Sequence, residues 1–443
     1  MKTYIIKAAG GNPTVIRTIK SELTRTNYEL FGGELMLKNE KFGVEQAGFL
    51  IKKQDSRYHF EMSGGEFCGN AARSAALVIS LLENTQENSF TMSGFENEVS
   101  SYVKKIDDLK FEVTCDFPGL PLTITNKMVA GIQVKIVDLG GIVHVVIDSL
   151  FPKESHKEEH LKILKELSLG DRDAVGVIWI NRTKDGISID PVVWVKSIDT
   201  YFHETSCGSG SIAVSATTGE KSIIQPSGEI ISVEINDLKV TLKSEMQIAF
   251  EEDVVVDYIL LKNTSKDLER FRKEFIFLYK DSFGGPPYFE KYDDSWIDEN
   301  VFDFHLKGGC IFVAICESKV IGLACAIPVN MERKVSGFLS EQENLPFDID
   351  STVYMSELAV SSLFRKCDLH VGSNLVKKRI AWGKENNFDS YVMRTAEKDS
   401  NSKNMYINIF NAKILDGVLQ NVSEDPNEID SESDQRIYLY GKV

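Results

Sequence analysis

The chain is short of basic charge, of long apolar runs and of cysteine, and each shortage excludes something. Its 50 Lys and Arg against 66 Asp and Glu leave a formal net charge of −16 over 443 residues. A nucleic-acid surface needs clustered cations to neutralise phosphates, so this balance argues against one. The longest apolar stretches, such as residues 75–82, are too short for a bilayer, which takes roughly 20 residues to cross. The opening residues, Met1-Lys2-Thr3-Tyr4-Ile5-Ile6, have neither a basic start nor a small-residue cleavage site and predict a strand rather than a signal peptide. The 7 cysteines are odd in number and lack framework spacing, which suits a reducing cytoplasm better than a disulfide scaffold. No CxxC pair or Cys/His spacing supports a zinc site, so no metal is expected. What remains, 42% hydrophobic and 26% charged, is ordinary globular composition. The length allows roughly two to four domains.

Two of the cysteines stand in near-twin settings, Cys68-Gly69-Asn70-Ala71 and Cys207-Gly208-Ser209-Gly210. Each is followed by small residues and a helix-like run, over 72–82 and 211–216. Such a segment sets a thiol beside unpaired backbone N–H groups at a helix N-terminus. The partial positive charge there, about half a unit, favours thiolate and other anions. Glycine lets the backbone approach a ligand closely, so amides around Gly69-Asn70 and Gly208-Ser209-Gly210 are candidates for holding a carboxylate. A pair of thiols suits inversion of an amino-acid α-carbon: one removes the proton as thiolate, the other returns one to the opposite face as thiol. Cys115, Cys310, Cys316, Cys325 and Cys367 have no such setting and are expected to be inert packing.

Strand-like runs dominate the first half, for example over 111–114, 133–137, 144–147 and 174–178. Strands followed by a thiol-bearing loop and helix occur twice. This predicts an internal duplication of about 120 residues with a seam near Pro118-Gly119-Leu120-Pro121. The character changes near 250–258. Beyond it, Thr264 reads as an N-cap with Asp267 three residues on, and Leu268, Phe271, Phe275 and Leu278 follow at helical spacing. A hairpin is expected over 310–315 and 320–327, turned by Glu317-Ser318-Lys319. Strands at 354–360 and 391–394 and a helix at 372–386 come later.

Four stretches of residues 1–252 carry a resemblance to the diaminopimelate epimerase family and its racemase relatives. They are Gly10-Gly11-Asn12-Pro13-Thr14, Cys68-Gly69-Asn70, Gly140-Gly141-Ile142-Val143-His144, and Glu204-Thr205-Ser206-Cys207-Gly208-Ser209-Gly210. The resemblance implies a pseudo-symmetric two-lobed fold, with lobes of about 1–120 and 121–252, and no cofactor. It implies racemisation by Cys68 and Cys207, with His144 and Glu204 beside them and Asn12 at the substrate. Ala71 stands where those epimerases usually have glycine, and residues 196–203 lack the Glu-Arg pair that would hold the far end of diaminopimelate. The pattern is closer to the histidine racemases of metallophore pathways.

Residues 258–443 resemble GNAT-type N-acetyltransferases, on the hairpin over 312–326, Met355-Ser356-Glu357-Leu358-Ala359-Val360, the segment 365–373 and the helix around Tyr406. The resemblance implies acetyl-CoA as co-substrate, with its pyrophosphate at Arg365, Lys366, Gly372 and Ser373 and its pantetheine arm on the backbone of Leu358 and Val360. It further implies Glu357 as proton acceptor and Tyr406 as acid for the departing thiolate. The loop over 365–372 is longer than the family's usual one and lacks its middle glycine.

The expected chain is therefore α+β: a two-lobed epimerase-like domain over 1–252, then a GNAT α/β domain over 258–443. The expected function is bifunctional, inverting a free amino acid and acetylating an amine, in the cytoplasm. Its partners are small molecules, without nucleic acid or membrane, and a homodimer is left open. Alternatives are a racemase with a non-catalytic second module, an isomerase of the phenazine-pathway type, and an amino-acid and CoA sensor.

Overall fold

The structure, a computed structural model, describes residues 1–196, 200–284, 291–365, 367, 369–396, 401–421 and 435–443. It divides into two units, Met1–Val254 and Val255–Val443.

In the first unit, seven strands hydrogen-bond in chain order. They are β1 (Lys2–Ala8), β2 (Gly11–Ile19), β3 (Gln46–Lys52), β4 (Tyr58–Met62), β5 (Glu87–Met92), β6 (Phe95–Lys105) and β7 (Lys110–Pro118). Burial alternates strictly along β7, as expected of a strand with one face on a core. Helix α1 (Arg25–Lys38) precedes β3, and α2 (Gly69–Glu83) lies between β4 and β5. The second lobe holds β8 (Thr123–Val129), β9 (Ile132–Asp138), β10 (Val143–Ile147), β11 (Ala174–Thr183) and β12 (Gly186–Val195). It continues with β13 (Thr200–His203), β14 (Ser222–Ile224) and β15 (Ile230–Ile235), and carries α3 (His156–Glu166) and α4 (Gly208–Thr218).

The last strand, β16 (Lys239–Asp253), joins the lobes. It pairs with β15 and β7 along its first part and with β1 from Met246 to Asp253. That last pairing closes β1–β7 and β16 into a barrel around α2. Every residue of α2 from Gly69 to Ile79 is buried, which explains why that stretch is small or apolar apart from Asn70 and Arg73. The seam expected near residue 120 lies between β7 and β8. Yet β16, which belongs to the second half by sequence, completes the first lobe's barrel. Helix α4 fills the second lobe the same way, buried from Gly208 to Ser215.

The second unit is built on one sheet: β17 (Asp257–Leu260), β18 (Cys310–Cys316), β19 (Lys319–Pro328), β20 (Thr352–Tyr354), β21 (Leu358–Val360), β22 (Ser390–Ala396), β23 (Lys413–Asn421) and β24 (Gln435–Lys442). Its order is β17-β18-β19-β20-β22-β24-β23, with β21 also on β19. The helices are α5 (Leu268–Phe283), α6 (Asp294–Ile297), a π-helix over Asp298–Asp303, α7 (Phe304–Gly308), α8 (Arg333–Ser340), α9 (Val371–Glu385) and α10 (Asn401–Phe410).

The expected hairpin is β18–β19, turned through Glu317 and Ser318 at φ 52° and 67°. Two expectations need correction. Helix α5 begins after Asp267, whose side chain makes no cap bond, and not after Thr264. The strand read over 354–360 is broken: Ile327 opposes Tyr354 and Ala324 opposes Leu358, so Met355, Ser356 and Glu357 face only Cys325 and Ala326. This is a bulge, with one more residue than its partner strand, and it re-aims the side chains it carries.

Candidate active site

Cys68 and Cys207 are the N-cap residues of α2 and α4, with nearly the same backbone: φ −136°, ψ 112° and φ −136°, ψ 106°. Each sulfur accepts a helix-end amide, from Ala71 N–H at 3.4 Å and Gly210 N–H at 3.3 Å. The helix ends abut through glycine. A Cβ on Gly208 would fall 3.0 Å from both Asn70 N and Gly69 C, where no side chain fits without moving backbone. Both thiols line one cavity of about 30 Å³. They are 7% and 2% exposed.

The carbonyl of Ser206 fixes the second thiol loop to the first lobe. It accepts from Asn12 Nδ2 at 2.9 Å and from Asn70 Nδ2 at 2.8 Å. Gln225 Oε1 holds Cys207 N–H at 2.8 Å. Asn12 and Asn70, expected at the substrate, each give an amide N–H to this loop carbonyl, and neither lines the cavity. Gly69 and Gly210 also fall outside its lining, whereas Gly208 and Ser209 are in it.

Carboxylates form much of the wall: Glu45, Glu66 and Glu204 all line the cavity. Burial raises Glu204 to about 8 and Glu45 to about 7, and raises Glu66 as well. Burial first, then the Glu204 charge, pushes Cys68 up to about 12 and Cys207 well above the usual thiol range. The helix ends were expected to favour thiolate. Their amides do bond the sulfurs, but a helix end contributes at most ~2 kcal/mol, less than full burial costs a charge.

Gln46 bridges the groups. Its Oε1 accepts from Cys68 Sγ at 3.2 Å and its Nε2 donates to Glu204 Oε1 at 3.3 Å. Glu204 lies beside the Cys207 thiol as well and raises it. Sequence reasoning missed Gln46, Glu45 and Glu66, which no motif marks. It also missed Arg73, fully buried in α2, whose charge acts on Cys68, Cys115 and Cys207. An arginine inside the apolar run of residues 71–79 was the visible signal for it.

His144 does not line the cavity. It lies on β10 opposite Gly176 of β11, so close that a Cβ on Gly176 would collide with its Nδ1. It is fully buried, and burial lowers it to about 3, so it is neutral.

In the second unit, Glu357, Leu358 and Tyr406 line one groove of about 1120 Å³. Tyr406 is fully buried and its hydroxyl accepts from Arg379 Nη2 at 2.8 Å. Arg379 Nη1 also donates to the carbonyls of Cys325 and Glu357, at 2.9 and 3.0 Å, pinning the bulge. Val360, Arg365, Gly372 and Ser373 do not line this groove. Arg365 Nε donates to Val360 O at 2.6 Å, and Ser373 Oγ to His370 O at 3.0 Å. Lys366 lies outside the described residues. Among the described residues, no group of His, Cys, Asp and Glu is arranged to hold a metal, and no helix is long and apolar enough to cross a membrane.

Two thiols on matched helix ends share one small cavity, the arrangement that two-base inversion of an amino acid needs. The family model described as histidine racemase CntK N-terminal domain matches residues 5–255, and the chain belongs to that family. Histidine racemases from two strains of Fusobacterium nucleatum subsp. nucleatum are 30% and 29% identical over 217 residues, 46% of this chain and 79% and 78% of theirs. Among solved structures, a predicted epimerase from Pseudomonas aeruginosa is 12% identical with a TM-score of 0.43, covering 57% of this chain and 99% of its own. A GNAT-family acetyltransferase from Staphylococcus aureus Mu50 is 16% identical with a TM-score of 0.28, covering 42% and 99%.

Proposed function

We propose that the first unit inverts the α-carbon of histidine, or of an amino acid of similar polarity, with Cys68 and Cys207 as its two acid–base groups. The carrying observation is the single cavity lined by both thiols and walled by Glu45, Glu66 and Glu204. At about 30 Å³ it has room for about one water, so the amino acid enters by widening the cleft. Its carboxylate takes the helix-end amides, and its ammonium and basic side chain meet the acidic wall. Glu204 receives the proton that Cys207 must lose to become a thiolate; Gln46 Oε1 only holds the Cys68 S–H, which becomes a thiolate when its proton goes to the substrate. One sulfur then takes the α-proton while the other delivers a proton to the opposite face. The test is loss of the Cα–H signal of L-histidine in D₂O with appearance of the D form. Cys68→Ala and Cys207→Ala should each abolish racemisation; persistence in either variant refutes the two-thiol assignment.

The second unit is assigned N-acetylation of an amine with acetyl-CoA. Support comes from the sequence resemblance and from the bulge that brings Glu357 and Tyr406 into one groove. The pairing has a thermodynamic reason: enantiomers have equal free energy, so racemisation alone stops at a 1:1 mixture. Acetylation selective for the D form would draw it to an N-acetyl-D-amino acid. Chiral chromatography after incubation with acetyl-CoA tests this, and an acetylated product of purely L configuration contradicts it. Arg365, turned onto Val360 O, favours the second reading of a non-catalytic module. Absence of CoA release would establish that reading.

A further inference from the structure

A histidine that no motif singled out stands behind the bulge of the second unit. The segments Asp294–Ile297, Asp298–Asp303 and Phe304–Gly308 follow without interruption, the middle one π-wound. Such insertions recur at functional sites. His305 follows it, 3% exposed and lining the same groove as Glu357 and Tyr406. Its Nδ1 lies 2.7 Å from Val301 O, and its Nε2 lies 2.7 Å from Ser356 Oγ.

With the ring neutral, these two distances fix where the hydrogens are. A carbonyl oxygen only accepts, so Nδ1 carries the ring proton. In the neutral ring Nε2 is then a bare lone pair, and Ser356 must donate to it. Burial keeps the ring neutral, lowering it to about 4. Ser356 sits in the bulge that Arg379 pins through the Glu357 carbonyl, so its hydroxyl oxygen faces the groove from a fixed backbone.

Resting on the acetyl-transfer reading, we infer that Ser356 receives the acceptor amine and that His305 is a positioning residue, holding the Ser356 hydrogen away from it. The reason lies in the nucleophile. The nitrogen attacks the thioester carbonyl with its lone pair; the C–N bond forms, the C–S bond breaks, the nitrogen loses a proton and the departing thiolate gains one. A serine with a loose hydrogen would donate to that lone pair and mask it. With its hydrogen on His305, Ser356 offers only lone pairs. It accepts an N–H of the amine and leaves the nucleophilic lone pair uncovered.

The full-length protein is assayed for thiol release from acetyl-CoA with L- and D-amino acids as acceptors, and the best acceptor is used for variants. Ser356→Ala should lower kcat/KM for the acceptor about 10-fold or more, as a lost hydrogen bond to a reacting group does. His305→Phe should lower kcat about 10-fold with little change in acceptor KM. His305→Gln, which keeps an acceptor near Nε2, should restore most of the loss. The KM for acetyl-CoA should stay unchanged in all three, which separates the effect from unfolding. Imidazole ¹⁵N shifts should show a protonated Nδ1 and a bare Nε2 in the wild type. Full activity in Ser356→Ala or His305→Phe, or the opposite tautomer, overturns the inference alone. A wild type that acetylates no amino acid overturns the acetyl-transfer reading, and this inference with it.

Discussion

Replacing Glu204 by glutamine should make the thiols easier to ionise and the enzyme slower. With Cys68 at about 12, only about one molecule in ten thousand carries that thiolate at pH 8, a cost of ~5.5 kcal/mol. Glu204 is the largest charge raising Cys68 and Cys207. A unit charge about 5 Å away at an effective dielectric of about 20 contributes ~3 kcal/mol, or ~2 pK units. Glu204→Gln keeps the shape and removes that charge, so Cys68 should ionise ~2 pH units lower. The check is the rate of Cys68 alkylation by iodoacetamide in ligand-free protein, followed by peptide mass spectrometry between about pH 7 and pH 11. Near pH 9, where Glu204 is largely ionised, the variant should react about 100-fold faster. On the proposed mechanism racemisation should nonetheless fall, because Cys207 would lose the group that takes its proton. Equal or slower alkylation of Cys68 in the variant would refute the electrostatic account.

The same carboxylates link folding to pH. Glu204 and Glu45 keep their protons in the folded state to about 8 and about 7, whereas in the unfolded chain they lose them near the ordinary carboxylate value of 4.5. The folded state therefore binds more protons across that window, and stability of the first unit should fall as pH rises from about 5 to about 8. Glu204 alone accounts for up to ~5 kcal/mol of this, and Glu204→Gln should flatten the slope of Tm against pH. A slope that the substitution leaves unchanged would mean Glu204 ionises normally. Gly208→Ala should separate the two helix ends and cost most of the racemase activity. Gly33→Ala, whose added Cβ meets nothing within 4 Å, should leave it unchanged. Equal activity in the two variants would show that the abutting helix ends are not required.

The thiol pair was legible because its signal is local: Cys-Gly followed by small residues specifies a cap, and the two caps differ by only a few degrees of ψ. Gln46 was not legible, because it reaches Cys68 and Glu204 only once the first barrel has folded. The barrel's closure was hidden for the same reason: Lys2 pairs with Asp253 at the far end of the domain, and nothing near either residue announces it. His144 matched a motif, yet a motif fixes position along a strand and not which neighbours surround it. Opposite Gly176 it is buried away from the thiol cavity. The bulge at Met355–Glu357 escaped notice because one added residue leaves the composition of a strand intact.

Because a single ribbon of chain, Lys239–Asp253, is stitched to neighbours on both sides of the cleft, the two halves that carry the sulfurs can tilt but cannot drift apart. Their spacing is limited by strand pairing before any substrate arrives. On the proposed two-thiol mechanism, an amino acid entering the cleft would find its proton carriers close to register, with much of the orientational cost of bringing them together met during folding.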